Sequence, residues 1–574
     1  MSAAAAPSPT TSPPEPSRLW LPCLLAAALL CYGLGIESPG RFKGDELYYM
    51  RSGAEMVWTG DWRVPVYEGQ VRFQKPPAAY WLVAASYRLL GVDLWSARLP
   101  SVLLAAAGIG LAHRLGRLLY GSRRAGLYAA AALLSSYGFY RHGRWALTDT
   151  LLSVAMLAAF LGFAEATFRG RRGGAIAGWG ALAVATLTKG PIALGVGGGG
   201  LLLFAALAPA DLRRRLRCVL DPAGLLLYAA LVGGWLALLL HTVGLDAASA
   251  GSGHELAKHF RPNPLRVFSG FAYYLDAALR GLFPWAFLLL FFLRREERDA
   301  AFRYLGAWSL AVVAPFALFV RMLRLRYLVV GIPALAILCG GALARIEECA
   351  GLRSRLVRFV LAAFVAGYAF ALGLALLTLV PLAWHLASPV LGAAAVALAL
   401  AAAGLLAGAA ALRGNARFET VVLGSALGTT LLFGIYYGSW YPHARTVPAY
   451  ELGRRLRPEL APDASLGTVG LDAEDRSFLS VGAAVAVRNP SPRRDPGRTV
   501  AGLEAAPPDV LVTTAPALAT LPARLRAIYT EEFRTPGAGL HLAPEAGLRL
   551  LWGRPARLRT DDPDLVVLRR RPAP

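Results

Sequence analysis

Apolar runs of about 17–26 residues recur along this chain from residue 19 to about residue 437. A helix rises 1.5 Å per residue, so each run matches a hydrocarbon core of roughly 30 Å. The fold class expected is a polytopic α-helical membrane protein. The first run follows a stretch, residues 1–17, that is rich in Ala, Ser and Pro and nearly free of basic charge. No small-x-small cleavage site closes that run. It reads as a retained span behind a disordered N-terminus.

Charge orients the spans. The formal net charge is +23, and the basic residues gather in loops: 114–124, 169–172, 213–217, 294–298, 345–358 and 413–417. Such an excess is what positive-inside loops produce, and it gives no reason to invoke nucleic acid. Placing all six loops in the cytoplasm yields thirteen spans: 19–36, 97–119, 125–141, 150–168, 174–189, 191–208, 218–242, 277–293, 303–320, 327–345, 356–381, 387–412 and 418–437. The N-terminus then lies inside and the C-terminus outside. One further apolar stretch, 78–90, would invert every following loop if it crossed. It is expected to lie at the outer interface, where Tyr80, Trp81 and Tyr87 suit the headgroup level. The domains expected are a membrane unit over 18–437, with outer loops at 37–96 and 243–276, and a soluble unit over 438–574. That last part has no long apolar run; short apolar segments recur at Leu466–Leu471 and Val510–Thr514, Pro522–Tyr529 reads as a short helix, and the whole reads as a small α/β domain. The five cysteines, Cys23, Cys31, Cys218, Cys339 and Cys349, lie in or beside apolar runs and imply neither a disulfide framework nor a zinc site.

In this topology the chemistry-bearing residues converge on the outer face. Asp45 and Glu46 follow the first span, and Asp149 opens another, preceded by His142 and Arg144. Acids beside hydrocarbon are costly to hold without a task. Asp45 and Asp149 can each serve as helix caps or as chemical groups, and Glu46 can orient a neighbour or simply favour a helix's first turn. All four lysines of the chain, Lys43, Lys75, Lys189 and Lys258, fall on this side, as a set of ammonium groups around an anion would. Lys75 is held extended by Pro76 and Pro77 and reads as a phosphate contact or a snorkelling lysine; Lys189, in a Gly-Pro turn, fits snorkelling better. His254, Lys258 and Arg261 share one face of a helix at i, i+4 and i+7, with Glu255 and His259 beside them. Two histidines are too few to claim a metal. Tyr327 can reach a phosphate or belong to the aromatic belt. The glycines of 195–200 sit in an apolar span and read as helix packing.

Several blocks together are similar to one family. They are Gly44-Asp45-Glu46, Trp58-Thr59-Gly60-Asp61-Trp62-Arg63-Val64-Pro65, Lys75-Pro76-Pro77-Ala78-Ala79-Tyr80-Trp81-Leu82 and Ala97-Arg98-Leu99-Pro100. Arg144-Trp145-Ala146-Leu147-Thr148-Asp149, Thr186-Leu187-Thr188-Lys189-Gly190-Pro191, Tyr273-Tyr274, Phe283-Pro284-Trp285 and Arg326-Tyr327 follow in the same order. Over about 19–345 the chain resembles the bacterial aminoarabinose transferase and protein-mannosyltransferase superfamily of GT-C glycosyltransferases. The resemblance implies a GT-C fold and an inverting transfer of sugar from a polyprenyl-phosphate donor to lipid A, another envelope glycan or a protein, at the periplasmic face of the bacterial inner membrane. It implies Asp45 as base, with Asp149 and Glu46 beside it, and Lys75, Arg144, Lys189, Lys258, Arg261 and Tyr327 at the donor phosphate. The family often has Glu where this chain has Gln74; in aminoarabinose transferases that Glu contributes to a metal site, so a divalent metal is left open here. The region before Tyr327 carries arginines, Arg321, Arg324 and Arg326, in place of the usual Ser/Lys pattern, so the anionic-lipid contacts are expected to be rebuilt with arginines. The alternative function is a transporter or lipid flippase. Its charges would sit near the midplane within inverted repeats, and neither feature is visible.

Overall fold

The computed structural model describes residues 16–38, 44–72, 74–246, 267–319, 325–348, 418–435, 447–461, 464–486, 503–535 and 564–571. Helices dominate. In order they are α1 (Trp20–Gly33), α2 (Gly44–Thr59), α3 (Ala78–Leu90), α4 (Leu94–Tyr120), α5 (Arg123–Leu134), α6 (Tyr137–His142), α7 (Thr148–Arg169), α8 (Arg172–Lys189), α9 (Pro191–Leu207), α10 (Ala210–Arg215) and α11 (Pro222–Val243). Then come α12 (Val267–Gly281), α13 (Ala300–Phe319), α14 (Ile332–Glu348) and α15 (Phe418–Ile435). Among the described residues α4, α7 and α11 are long and apolar enough to cross a membrane alone, and α1, α9 and α15 are shorter apolar helices. The expected spans 356–381 and 387–412 lie outside the described residues.

Three expected spans are not single straight helices, and one of them, 327–345, starts in a 3-10 segment, Leu325–Val330, before α14. The run 277–293 contains Pro284, which cannot donate to the helical ladder. The chain bends there by 118° between α12 and a 3-10 segment, Ala286–Leu293. The run 125–141 breaks at Ser135 and Ser136, whose hydroxyls turn back to the carbonyls of Ala131 and Ala132. The stretch 78–90 is a helix, α3, but Tyr80 and Tyr87 are buried in the protein. Only Trp81 of the three aromatics is partly exposed.

Helix α7 is buried along nearly its whole length and runs antiparallel to α8. Glycines set that contact. A Cβ on Gly162 would lie 2.6 Å from the Gly174 carbonyl oxygen and 2.6 Å from the Gly178 nitrogen, so only glycine lets the helices meet. The contact lies 13 residues past Asp149 on α7 and 11–15 residues before Lys189 on α8. At 1.5 Å per residue both distances are about 20 Å, so the register brings the two charged residues to the same end. Gly190, at φ +79°, ends α8 in a conformation that β-carbons disfavour. Pro191 starts α9 at the position where its missing N–H costs nothing.

Beyond α15 the chain forms α16 (Pro448–Leu456), α17 (Ala473–Ala483) and a four-stranded mixed sheet. Counting the small hairpin β1 (Val66–Tyr67) and β2 (Gln70–Val71), its strands are β3 (Leu466–Val469), β4 (Val510–Thr514), β5 (Tyr529–Thr535) and β6 (Leu565–Arg570). The order is β3-β4-β6-β5, with β3 and β4 parallel and the other pairs antiparallel. The two short apolar segments supply β3 and β4, and the short helix is Ala523–Ala527 behind Pro522. This α/β unit packs on the back of α2: Phe478, Leu479 and Leu452 share a core with Leu47, Met50 and Tyr80. Arg476 pairs with Glu68 through two bonds of 3.1 Å, Tyr450 donates to Asp93 at 2.8 Å, and Arg51 bonds Ser480. The helix that begins with Asp45 is therefore gripped from both sides.

Candidate active site

Four charged side chains from four elements meet at one end of the helical body. Asp45 lies in the first turn of α2 and pairs with Arg326 from the 3-10 segment Leu325–Val330. Asp149 lies in the first turn of α7, where the helix dipole favours an anion, and Lys189 closes α8. The Lys189 ammonium donates to Asp149 at 2.7 Å. It also sits 5.3 Å above the Tyr327 ring. Arg326 interacts electrostatically with Asp149 as well as with Asp45, which makes one cluster of two acids and two cations.

The two pairs differ in burial. The side chains of Lys189 and Asp149 are 11% and 3% exposed, a closed pair. Those of Arg326 and Asp45 are 21% and 42% exposed, so Asp45 faces open space. Lys189 therefore turns inward to a buried carboxylate and does not snorkel. Below Lys189 and Tyr327 a narrow apolar cleft of about 10 Å³ runs between Leu152, Met156, Ile192 and Val196. That is room for about one water, so a larger group must part its walls.

An aromatic wall flanks Asp45. Tyr49 and Tyr80 pack tilted at 38° with 4.9 Å between ring centroids, and Arg72 donates to the Tyr80 hydroxyl at 3.0 Å while lying 3.7 Å above the Tyr48 ring. Burial, followed by the neighbouring Tyr80, holds the Tyr49 phenol well above the ordinary tyrosine range. It is a neutral group, bonded to Thr148 at the mouth of α7.

Two expected site residues, Glu46 and Arg144, do structural work, and three more, Lys75, Lys258 and Arg261, are not seen at the cluster. Glu46, grouped with the catalytic acids on sequence, is fully buried. Its carboxylate accepts from Arg98 Nε and Nη2 at 3.0 and 3.1 Å and from the Ala146 backbone N–H at 2.8 Å. Its oxygens are spent on tying α2 to α4 and to the loop before α7, which makes it a positioning residue. Arg144, expected at the phosphate, is also buried. It donates to the Cys31 carbonyl at 2.8 Å, to the Tyr140 hydroxyl at 2.9 Å and to the Leu34 carbonyl. These are the orphan carbonyls at the end of α1, so Arg144 acts as a cap. His142 has Nδ1 2.7 Å from the Gly138 carbonyl oxygen. Lys75 donates to the Gln74 carbonyl at 2.9 Å. Lys258 and Arg261, with His254, Glu255 and His259, lie outside the described residues.

Sequence reasoning missed Arg72 as a site cation and offered Arg326 only as one of several arginines that could rebuild the anionic-lipid contacts. Arg326 stood beside Tyr327 in a quoted block, and Arg72 stood two positions before Gln74. Neither position announces a partner, because both contacts are made across the fold. Among the described residues no three His, Cys, Asp or Glu side chains converge to hold a metal.

Residues 74–237 match the family model for dolichyl-phosphate-mannose-protein mannosyltransferase. An undecaprenyl phosphate-alpha-4-amino-4-deoxy-L-arabinose arabinosyl transferase of Pseudomonas aeruginosa is 30% identical over 371 residues, covering 63% of this chain and 64% of that one. A like-named transferase of Pseudomonas fluorescens is 29% identical over 356 residues, covering 60% and 63%. The match thus spans less than two thirds of either relative. The crystal structure of ArnT from Cupriavidus metallidurans bound to undecaprenyl phosphate superposes with a TM-score of 0.68 at 22% identity, over 96% of this chain and 98% of that one. Its apo form gives 0.70. The chain has that membrane fold.

Proposed function

We propose that this chain, a member of the GT-C superfamily of aminoarabinose transferases and protein mannosyltransferases, moves a sugar from a polyprenyl-phosphate donor to an acceptor hydroxyl. The site would face the periplasm from the inner membrane. Lipid A, another envelope glycan and a protein are the acceptor classes.

The carrying observation is the cluster of two acids and two cations at one end of the helices, with one acid buried and the other open. The chemistry follows from it. The acceptor O–H gives its proton to Asp45, the open carboxylate, as the acceptor oxygen attacks the anomeric carbon. The bond from that carbon to the phosphate oxygen breaks, and the electron pair leaves with the phosphate. A single displacement inverts the anomeric centre. Asp149, clamped by Lys189, supplies fixed negative charge for the oxocarbenium-like transition state, and the cations of the cluster stabilise the leaving phosphate. Lys75 is the further donor-phosphate ligand of this reading, with Lys258 and Arg261 from the second outer loop.

The test is transfer of radiolabel from polyprenyl-phosphate sugars, by purified protein in lipid nanodiscs, to envelope lipid and protein fractions. Label in the lipid fraction supports the lipid A class and label in protein supports the mannosyltransferase class. A protein that consumes no donor with either fraction would turn the account toward transport.

A further inference from the structure

We propose that Arg326 is a ligand of the donor phosphate whose resting counter-ion is Asp45, so that donor binding draws the guanidinium away and frees the base only when the donor is in place. This rests on the reading of the cluster as a polyprenyl-phosphate site.

Three observations carry it. The Asp45–Arg326 pair joins elements 281 residues apart and is the more open of the two acid–cation pairs. An incoming anion can compete for Arg326 there, whereas the Asp149–Lys189 pair is sealed. Arg326 is also incompletely satisfied: its Nε is buried without a hydrogen-bond partner. A buried unmet donor is costly, and a phosphate oxygen at the open side would meet it with a charge-assisted bond. Finally, each acid of the cluster is matched by one cation. A phosphodiester brings one negative charge, and the cation it can draw from these pairs is the one held at the open acid. Asp45 is the exposed acid and the one that must be unpaired to act as a base.

The proton then couples the two ends of the cycle. When Asp45 takes the acceptor proton it becomes neutral and exerts no claim on Arg326. The guanidinium is fully available as the donor phosphodiester becomes a polyprenyl phosphate monoester with added charge. When Asp45 returns its proton to solvent it competes for Arg326 again and weakens the hold on that product.

The experiment is binding of sugar-free polyprenyl phosphate to the full chain in nanodiscs, for wild type, Asp45→Asn, Arg326→Gln and the double variant. Asp45→Asn should bind about threefold to fivefold tighter, the span expected for removing a partly exposed counter-ion. Arg326→Gln should bind about tenfold weaker, as expected for one charge-assisted contact, with Arg326→Lys between it and wild type. The tightening must vanish in the double variant, because it acts through Arg326. Equal melting of the variants checks that the fold is intact. Asp45→Asn binding like wild type or more weakly, or a tightening that survives Arg326→Gln, would overturn the coupling. Wild type that fails to bind polyprenyl phosphate at all would overturn it together with the reading of the site.

Discussion

Removing Glu46's charge tests whether this acid is chemical or structural. Glu46 is fully buried, accepts two bonds from Arg98, and accepts the Ala146 N–H. Arg98 itself is 3% exposed and also holds the carbonyls of Ile36 and Ser38 at 2.9 and 2.7 Å. In Glu46→Gln the amide keeps the shape but leaves the guanidinium buried without a counter-charge, and its NH2 faces another donor. Breaking one side of such a pair costs about 3–5 kcal/mol. Arg98→Met alone should cost as much. The double variant should cost less than the two singles together, because no buried charge is left alone. The assay is thermal unfolding of the four proteins in one detergent at one scan rate, since membrane-protein melting is often irreversible. A Glu46→Gln protein that melts like wild type yet has lost transfer would refute this reasoning and return Glu46 to the catalytic group.

Other outcomes follow from the same geometry. Arg144→Met strands the Leu34 carbonyl and leaves the Cys31 carbonyl with the Tyr140 hydroxyl alone, and should destabilise by about 1–3 kcal/mol while the folded fraction keeps its donor KM; a raised KM at unchanged stability would place Arg144 at the phosphate. Lys189→Met takes the hydrogen-bonded counter-ion from buried Asp149, leaving it to the more distant Arg326 and His142, at a cost of about 3 kcal/mol, and adding Asp149→Asn should restore the melting temperature without restoring transfer. Arg476→Met breaks the bidentate contact with Glu68 and should loosen the C-terminal α/β unit by about 2–3 kcal/mol. Faster limited proteolysis after residue 447, with α7 to α9 still protected, would register it.

What the sequence made legible was what lipid imposes locally. The length of apolar runs and the sign of the loops are read one segment at a time, and the helices α4, α7, α8, α9 and α11 lie where those runs are. The bend at Pro284 was readable in principle, but the apolar residues on both sides of it, 282–283 and 285–293, masked the missing donor. In the site, the acids and Lys189 were visible because charge next to hydrocarbon is conspicuous. Their pairing was not visible. Arg98 lies 52 positions from Glu46, and Arg326 lies 281 from Asp45, so nothing local distinguishes a strut from a phosphate ligand. Arg144 misled for that reason: a basic residue five positions before Asp149 looked like a ligand, and only the fold brings the end of α1 to it.

The most direct measurement of the central claim is the single-turnover rate of sugar transfer from prebound donor, for wild type and Asp45→Asn, with donor occupancy measured on the same samples. The account predicts that Asp45→Asn still holds donor while transfer falls by about 10²–10⁴-fold, the contribution of a positioned base. Transfer by Asp45→Asn at the wild-type rate and equal occupancy would contradict it.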